Sequence, residues 1–313
     1  MRQSSITTYV LIKGGGLKFP MLLITLLWSI NTFASVYDLP DENSRLLGEP
    51  HRYQVEQGDF FQALAEYYNV GFLALMAANQ GIDPFLPEVG THLNIPKQML
   101  LPYGERKGIV INLAELRLYY FPPKENIVYV FPVGIGREGL STPELTSVIG
   151  NKRKNPVWRP TQAMRKRYFA EHGKQMADFV AAGPDNPFGK YALRLGTSEY
   201  LIHGSNQRFG IGMRASSGCI RMYDEDIKWV FHNVPVGTPV RIIHQAIKMS
   251  YEPFGHKLIE VHQPLSGRTN VRDDKETKTA ISIFLGKSDK VKKQYLDLIA
   301  KPDGLVTLLA KAG

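Results

Sequence analysis

Cys219 is the only cysteine in a chain of 313 residues, and His203 precedes it by 16 positions. A thiol becomes a strong nucleophile when it loses its proton, and a nearby imidazole is a group that takes it. The intervening sequence is rich in turn residues. It reads Ile202-His203-Gly204-Ser205-Asn206, then Phe209-Gly210-Ile211-Gly212, then Ser216-Ser217-Gly218-Cys219-Ile220-Arg221. Gly218 lets the backbone approach a substrate closely. Asp224 to Asn233 reads as a helix, with Ile227, Val230 and Phe231 on one face. A helix start just behind Cys219 would offer N–H groups and a positive dipole end, which favour thiolate and hold an oxyanion. Ser216 and Ser217 either contact substrate or close the turn. The competing reading of a lone cysteine is an inert buried side chain.

One thiol cannot close an intramolecular disulfide, nor build a cysteine-based zinc or iron–sulfur site. Hydrophobic residues make up 43% and charged residues 21%, which excludes a wholly disordered chain and a polytopic membrane protein. The net charge is +9, unevenly spread. Residues 35–100 carry 3 basic and 9 acidic side chains, residues 101–244 carry 20 and 12, and residues 245–313 carry 12 and 8. That shift marks a domain boundary near residue 100. Zinc-finger spacing, an aromatic RNA-binding signature and a basic heptad helix are all missing from the sequence, so nucleic acid is not an expected partner.

Residues 1–34 hold Arg2, Lys13 and Lys18 and no acid, then a short apolar run from Phe19 to Ala34. Small residues at Thr32 and Ala34 precede Ser35. This pattern predicts a secretory signal peptide, with an uncleaved anchor as the alternative. Either sends the remainder across a membrane. A solitary thiol in an oxidising compartment then invites a chemical explanation.

Three regions lie beyond the leader. Residues 53–96 predict a βααβ unit, with Phe61, Leu64, Ala65 and Tyr68 at helical spacing and a second short helix through Phe72, Leu75 and Met76. Residues 101–244 are strand-rich, with runs at 109–113, 117–121, 127–134, 191–195, 200–202 and 240–243. A helical or lid-like stretch covers 161–180. From Gln245 the chain turns polar. It carries a charged patch at Arg268 to Lys278, a short apolar segment at Ala280 to Leu285 and an amphipathic stretch through Tyr295, Leu296, Leu298 and Ile299, which predict a small accessory unit on a flexible link.

Two resemblances attach to these motifs. Y-x-V-x-x-G-D at 53–59, A-A-N at 77–79 and G-T-x-L-x-I-P at 90–96 resemble a LysM module, a small fold that binds glycans containing N-acetylglucosamine. Phe60-Phe61 departs from that family's usual Thr or Ser with Leu, so a plain packing module is the competing reading. H-G-S-N-x-x-F-G-I-G-M-R-x-S-S-G-C-I-R at 203–221 closely resembles the active-site stretch of L,D-transpeptidases of the YkuD type. It is most similar to the enterobacterial group that attaches an outer-membrane lipoprotein to murein. Asn155-Pro156-Val157-Trp158, Asp185-Asn186-Pro187-Phe188-Gly189 and Val261-His262-Gln263-Pro264-Leu265 extend the likeness, which spans about residues 40–265. Ser217 stands where the wider family has His, a mark of that subgroup.

The resemblance implies a fold that is mainly β with short helices, a sandwich or barrel-like catalytic domain behind the LysM-like module. It implies Cys219 as nucleophile, His203 as its base in a thiolate–imidazolium pair, and the Gly204 carbonyl as the group orienting the imidazole. Arg221, with Ser216, Ser217 and Gly218, would contact substrate. No metal or organic cofactor is implied. The implied partners are peptidoglycan stems and glycan strands in the periplasm. The acyl acceptor stays open between a lipoprotein amine, a second diaminopimelate giving 3–3 cross-links, and water giving a carboxypeptidase. A murein-binding protein without catalysis is the reading from a different class.

Overall fold

The computed structural model describes residues 34–268 and 275–310. The leader read at 1–34 lies outside the described residues except for Ala34, and so does the stretch 269–274 of the charged patch. Among the described residues no helix is long and apolar enough to cross a membrane.

The fold is mainly β with short helices, and its frame is one nine-stranded sheet. Across the sheet the strands run Ser35–Asp38, Ile127–Pro132, Arg117–Phe121, Gly108–Asn112, Pro239–Ile243, Leu145–Lys154, Tyr191–Leu195, Leu201–His203 and Ile220–Arg221. Every residue of Gly108–Asn112 and Arg117–Phe121 is buried, which explains their nearly unbroken apolar sequence. The pleat sends alternate residues to opposite faces. Ile109, Ile111, Leu118 and Tyr120 enter the main core with Leu193, Ile202, Ile220 and Ile227. Val110, Tyr119 and Phe121 enter a second core with Leu47, Met99 and Leu101.

The βααβ unit forms as its spacing predicts. His51–Gln54 pairs antiparallel with His92–Ile95, around helices α1 (Phe61–Tyr67) and α2 (Phe72–Ala78). Phe60 occupies the N-cap of α1 without a capping side chain, while Phe61 is fully buried with Leu64, Leu75 and Leu93. The stretch 35–100 is nevertheless not set apart from the strand-rich region. Ser35–Asp38 is an edge strand of the large sheet, pairing antiparallel with Ile127–Pro132. Leu73 N–H also donates to the Gly212 carbonyl at 3.1 Å.

Of the 161–180 stretch only Gln162–His172 is helical (α3), capped by Thr161, whose hydroxyl accepts from Met164 N–H. The polar tail folds into a small unit, and residues 269–274 of its charged stretch lie outside the described residues. Ile247–Glu252, His256–Val261 and Val306–Ala310 form a three-stranded sheet, covered by helices that come after α4 (Asp224–Asn233) in the chain, α5 (Lys275–Leu285) and α6 (Asp289–Ala300). Its polar residues deceive because Lys248 and Glu260 are fully buried and pair with each other at 2.8 Å.

Candidate active site

Leu201–His203 and Ile220–Arg221 lie side by side as parallel strands, with Ile202 opposite Ile220 and His203 opposite Arg221. Ile202 and Ile220 are both buried in the core. The pleat therefore turns Leu201, His203, Cys219 and Arg221 to the other face, where all four line one groove of about 950 Å³. Residues 16 apart in sequence thus become neighbours across adjacent strands. One expectation is corrected here. Cys219 leads into a strand, not a helix, and α4 begins only at Asp224. The parallel partner supplied by Leu201–His203 captures Ile220 and Arg221 before the chain can coil.

His203 is 3% exposed, and its Nδ1 lies 2.6 Å from the Gly204 carbonyl. A carbonyl only accepts, so Nδ1 carries the hydrogen and Nε2 keeps its lone pair. Burial, then the nearby Arg221 charge, lowers the imidazole to about 3, against the opposing pull of the Gly204 carbonyl. Cys219 is half-buried, and burial pushes its thiol up, opposed by a backbone hydrogen bond from Leu201 and by Arg221. Burial thus works against the charged form of each group, the thiolate and the imidazolium alike.

The loop carrying Cys219 is tied down by short polar links. Ser216 Oγ donates to the Cys219 carbonyl at 2.6 Å and accepts from Gly218 N–H at 3.1 Å. Ser216 is thus engaged in closing the turn, whereas Ser217 is exposed at the groove. Gly218 has φ +110, and a Cβ there would sit 3.1 Å from the Tyr200 ring. Thr142, buried and unmarked in the sequence, donates through Oγ1 to the Gly218 carbonyl at 2.8 Å and accepts from Gly136 N–H at 2.9 Å. Arg221 Nη1 donates to Gln207 at 3.4 Å, and its Nε is a buried donor lacking a partner within the described residues. Gly204 keeps its place because a Cβ would collide with the Asp224 carboxylate.

The groove extends well beyond these residues. Trp158, Arg159, Met164 and Arg167 line it from the segment around α3, and Arg153, Ala192 and Arg194 from the floor strands. The sequence motifs do not mark these floor residues. Their one signal is the alternation of Ala192 and Arg194 with the apolar Tyr191, Leu193 and Leu195 along one strand. Thr142 leaves no comparable signal, since its partners are distant in sequence.

Three family models match the chain. They are the L,D-transpeptidase catalytic domain over residues 106–242, the L,D-transpeptidase C-terminal domain over 246–304, and the LysM domain over 53–96. Probable L,D-transpeptidase YcfS of Escherichia coli (strain K12) is 52% identical over 238 residues, covering 74% of this chain and 74% of that protein. Probable L,D-transpeptidase ErfK/SrfK of the same strain is 47% identical over 241 residues, covering 76% and 77%. Among solved structures, L,D-transpeptidase 3 from Mycobacterium tuberculosis is similar over 50% of this chain and 66% of that one, at 18% identity and a TM-score of 0.32. The extent and level of the likeness to YcfS show that this chain belongs to the L,D-transpeptidase family.

Proposed function

We propose that this L,D-transpeptidase works through a thioester on Cys219, formed with the tetrapeptide stem of murein. The observation that carries the reading is the pairing of Leu201–His203 with Ile220–Arg221, which turns Cys219 and His203 into one groove. His203 Nε2 takes the thiol proton as sulfur attacks the carbonyl of the diaminopimelate L-centre. The C–S bond forms, the bond to D-Ala breaks, and the same proton passes to the leaving amine. The Gly204 carbonyl holds the ring tautomer and stabilises the imidazolium while it lasts. The Arg221 guanidinium favours the developing thiolate and positions the stem. An acceptor amine then attacks the thioester, gives a proton back through His203 and releases the thiol.

The LysM match and the catalytic match both concern peptidoglycan, so the site of action is extracytoplasmic and, on the leader read at 1–34, the periplasm. We take the acceptor to be a protein amine, as in the lipoprotein-attaching subgroup that the 203–221 motif resembles. The test incubates the purified protein with tetrapeptide muropeptides, then with a lysine-ended lipoprotein peptide, a second muropeptide, or buffer alone. Mass spectrometry is expected to find an acyl adduct on Cys219, then a peptide–stem product. An adduct that resolves only to a 3–3 cross-link or to tripeptide replaces the acceptor. No adduct on Cys219 overturns the thioester.

A further inference from the structure

The groove floor is a four-strand row that extends the site on the side away from Arg221. Arg153 is the register partner of Ala192, Ala192 of His203, and His203 of Arg221. One step along, Arg194 is the partner of Leu201, which the register of Ile202 with Ile220 sets level with Cys219. The core takes the alternate residues Leu193, Leu195 and Ile202. Asn151, Arg153, Ala192 and Arg194 therefore face the same way as His203 and line the same groove. Each arginine stands two strands from the chemistry, Arg153 from His203 and Arg194 from Cys219. Two strand spacings are about 10 Å. Ala192, between Arg153 and His203, adds only a methyl group, so the floor dips there.

Neither arginine has an ion-pair or side-chain hydrogen-bond partner among the described residues. The groove also holds Lys154, Arg159, Arg167 and Arg221, and its one acidic side chain is Glu199. Unpaired guanidinium groups held on a rigid sheet repel one another, and an anion that enters relieves this. Guanidinium recognises carboxylate through two parallel hydrogen bonds.

We infer that Arg153 and Arg194 form a carboxylate-recognition subsite that reads the donor stem beside the scissile bond. This rests on the proposed thioester reaction, which seats the scissile carbonyl at Cys219. Two carboxylates of the stem lie about 7 Å from that carbonyl, near two residue-lengths of extended chain. One is the α-carboxylate of the preceding γ-linked D-glutamate. The other is the distal carboxylate of the diamino acid itself. The arginine side chains span the remaining gap. Recognition of this kind separates stems with free carboxylates from amidated ones.

The test uses the full chain carrying Cys219→Ala, so that binding is read without turnover and separately from any failure of acylation. Calorimetry measures Kd for a tetrapeptide stem with both carboxylates free, and for stems amidated at one or the other. Arg153→Gln and Arg194→Gln are each expected to weaken binding of the free stem at least tenfold. Amidating the recognised carboxylate is expected to cost the unaltered floor a similar factor and to cost the glutamine variants little more. The amide that matters identifies which carboxylate is read. Arg194→Lys keeps the charge and is expected to recover part of the loss. Unchanged far-UV circular dichroism and melting temperature in the glutamine variants report an intact fold. Equal weakening toward free and amidated stems, or no weakening at all, overturns the subsite.

Discussion

Burial that disfavours both thiolate and imidazolium bears on what Cys219 should do on its own. An ion pair would leave the sulfur reactive at acid pH, whereas burial pushes the thiol up. Iodoacetamide alkylation of Cys219 should therefore rise through a titration above the ordinary thiol range. A plateau of reactivity below pH 6 would show an ion pair instead. Thr142 tests how tightly that thiol must be held. Thr142→Val keeps the shape but strands the Gly218 carbonyl and the Gly136 N–H in a buried site. The expected cost is about 1–3 kcal/mol of stability, with slower acylation of Cys219, read by denaturant unfolding and by stopped-flow mass analysis. Unchanged values for both would remove Thr142 from the support of the loop.

Elements were legible where local spacing and burial agree. The βααβ unit could be read from Phe61, Leu64 and Leu75, because those residues do make its core. The buried strands could be read because both their faces are covered. The two-residue strand after Cys219 could not, since its cause is a parallel partner 18 residues earlier. The floor arginines were invisible as a pair for the same reason, being joined only through sheet register. The contact between the βααβ unit and α4 is another product of distance in sequence. Asp226 on α4 is buried there with Asn69 Nδ2 at 3.5 Å, and Arg208 bridges Glu66 and Glu225. Burial, reinforced by Glu225, raises the Asp226 carboxyl to about 8. Between about pH 4 and 8 the unfolded chain has released this proton while the folded chain keeps it, so stability falls as pH rises through that window. Asp226→Asn removes the titration. Its melting temperature relative to the natural chain should climb from pH 4 to pH 8; a constant difference would show that Asp226 ionises normally in the fold.

At the scale of the molecule, a buried charge cluster joins the matched catalytic, C-terminal and amino-terminal regions. Glu260 lies 2.8 Å from Lys248, 2.9 Å from Arg117 and 2.7 Å from His262 Nε2, and it accepts from Leu100 N–H at 2.6 Å. Lys248 and Arg117 also pair with Glu115 at 2.9 and 3.0 Å. Arg117 Nη2 reaches the Pro96 carbonyl at 3.3 Å, at the end of the βααβ unit. Glu115, Glu260 and His262 alone would resemble a metal-ligand set. Two cations already answer the two carboxylates, however, and an added dication would leave the cluster with excess positive charge. Burial alone would raise the Glu260 carboxyl, but Lys248, then His262 and Arg117, hold it well below the usual range. Such a cluster stabilises little compared with apolar packing, yet breaking it is costly, because the remaining partner stays buried and unpaired. Glu260→Gln should destabilise the whole chain by about 3–5 kcal/mol in urea unfolding. Because the cluster ties three regions together, the loss should appear as an earlier single transition by tryptophan fluorescence and circular dichroism alike. Separate transitions, or a shift below about 1 kcal/mol, would mean that the C-terminal sheet docks without this cluster. None of the cluster residues lines the groove, so acylation of Cys219 in Glu260→Gln should fall only with the folded fraction.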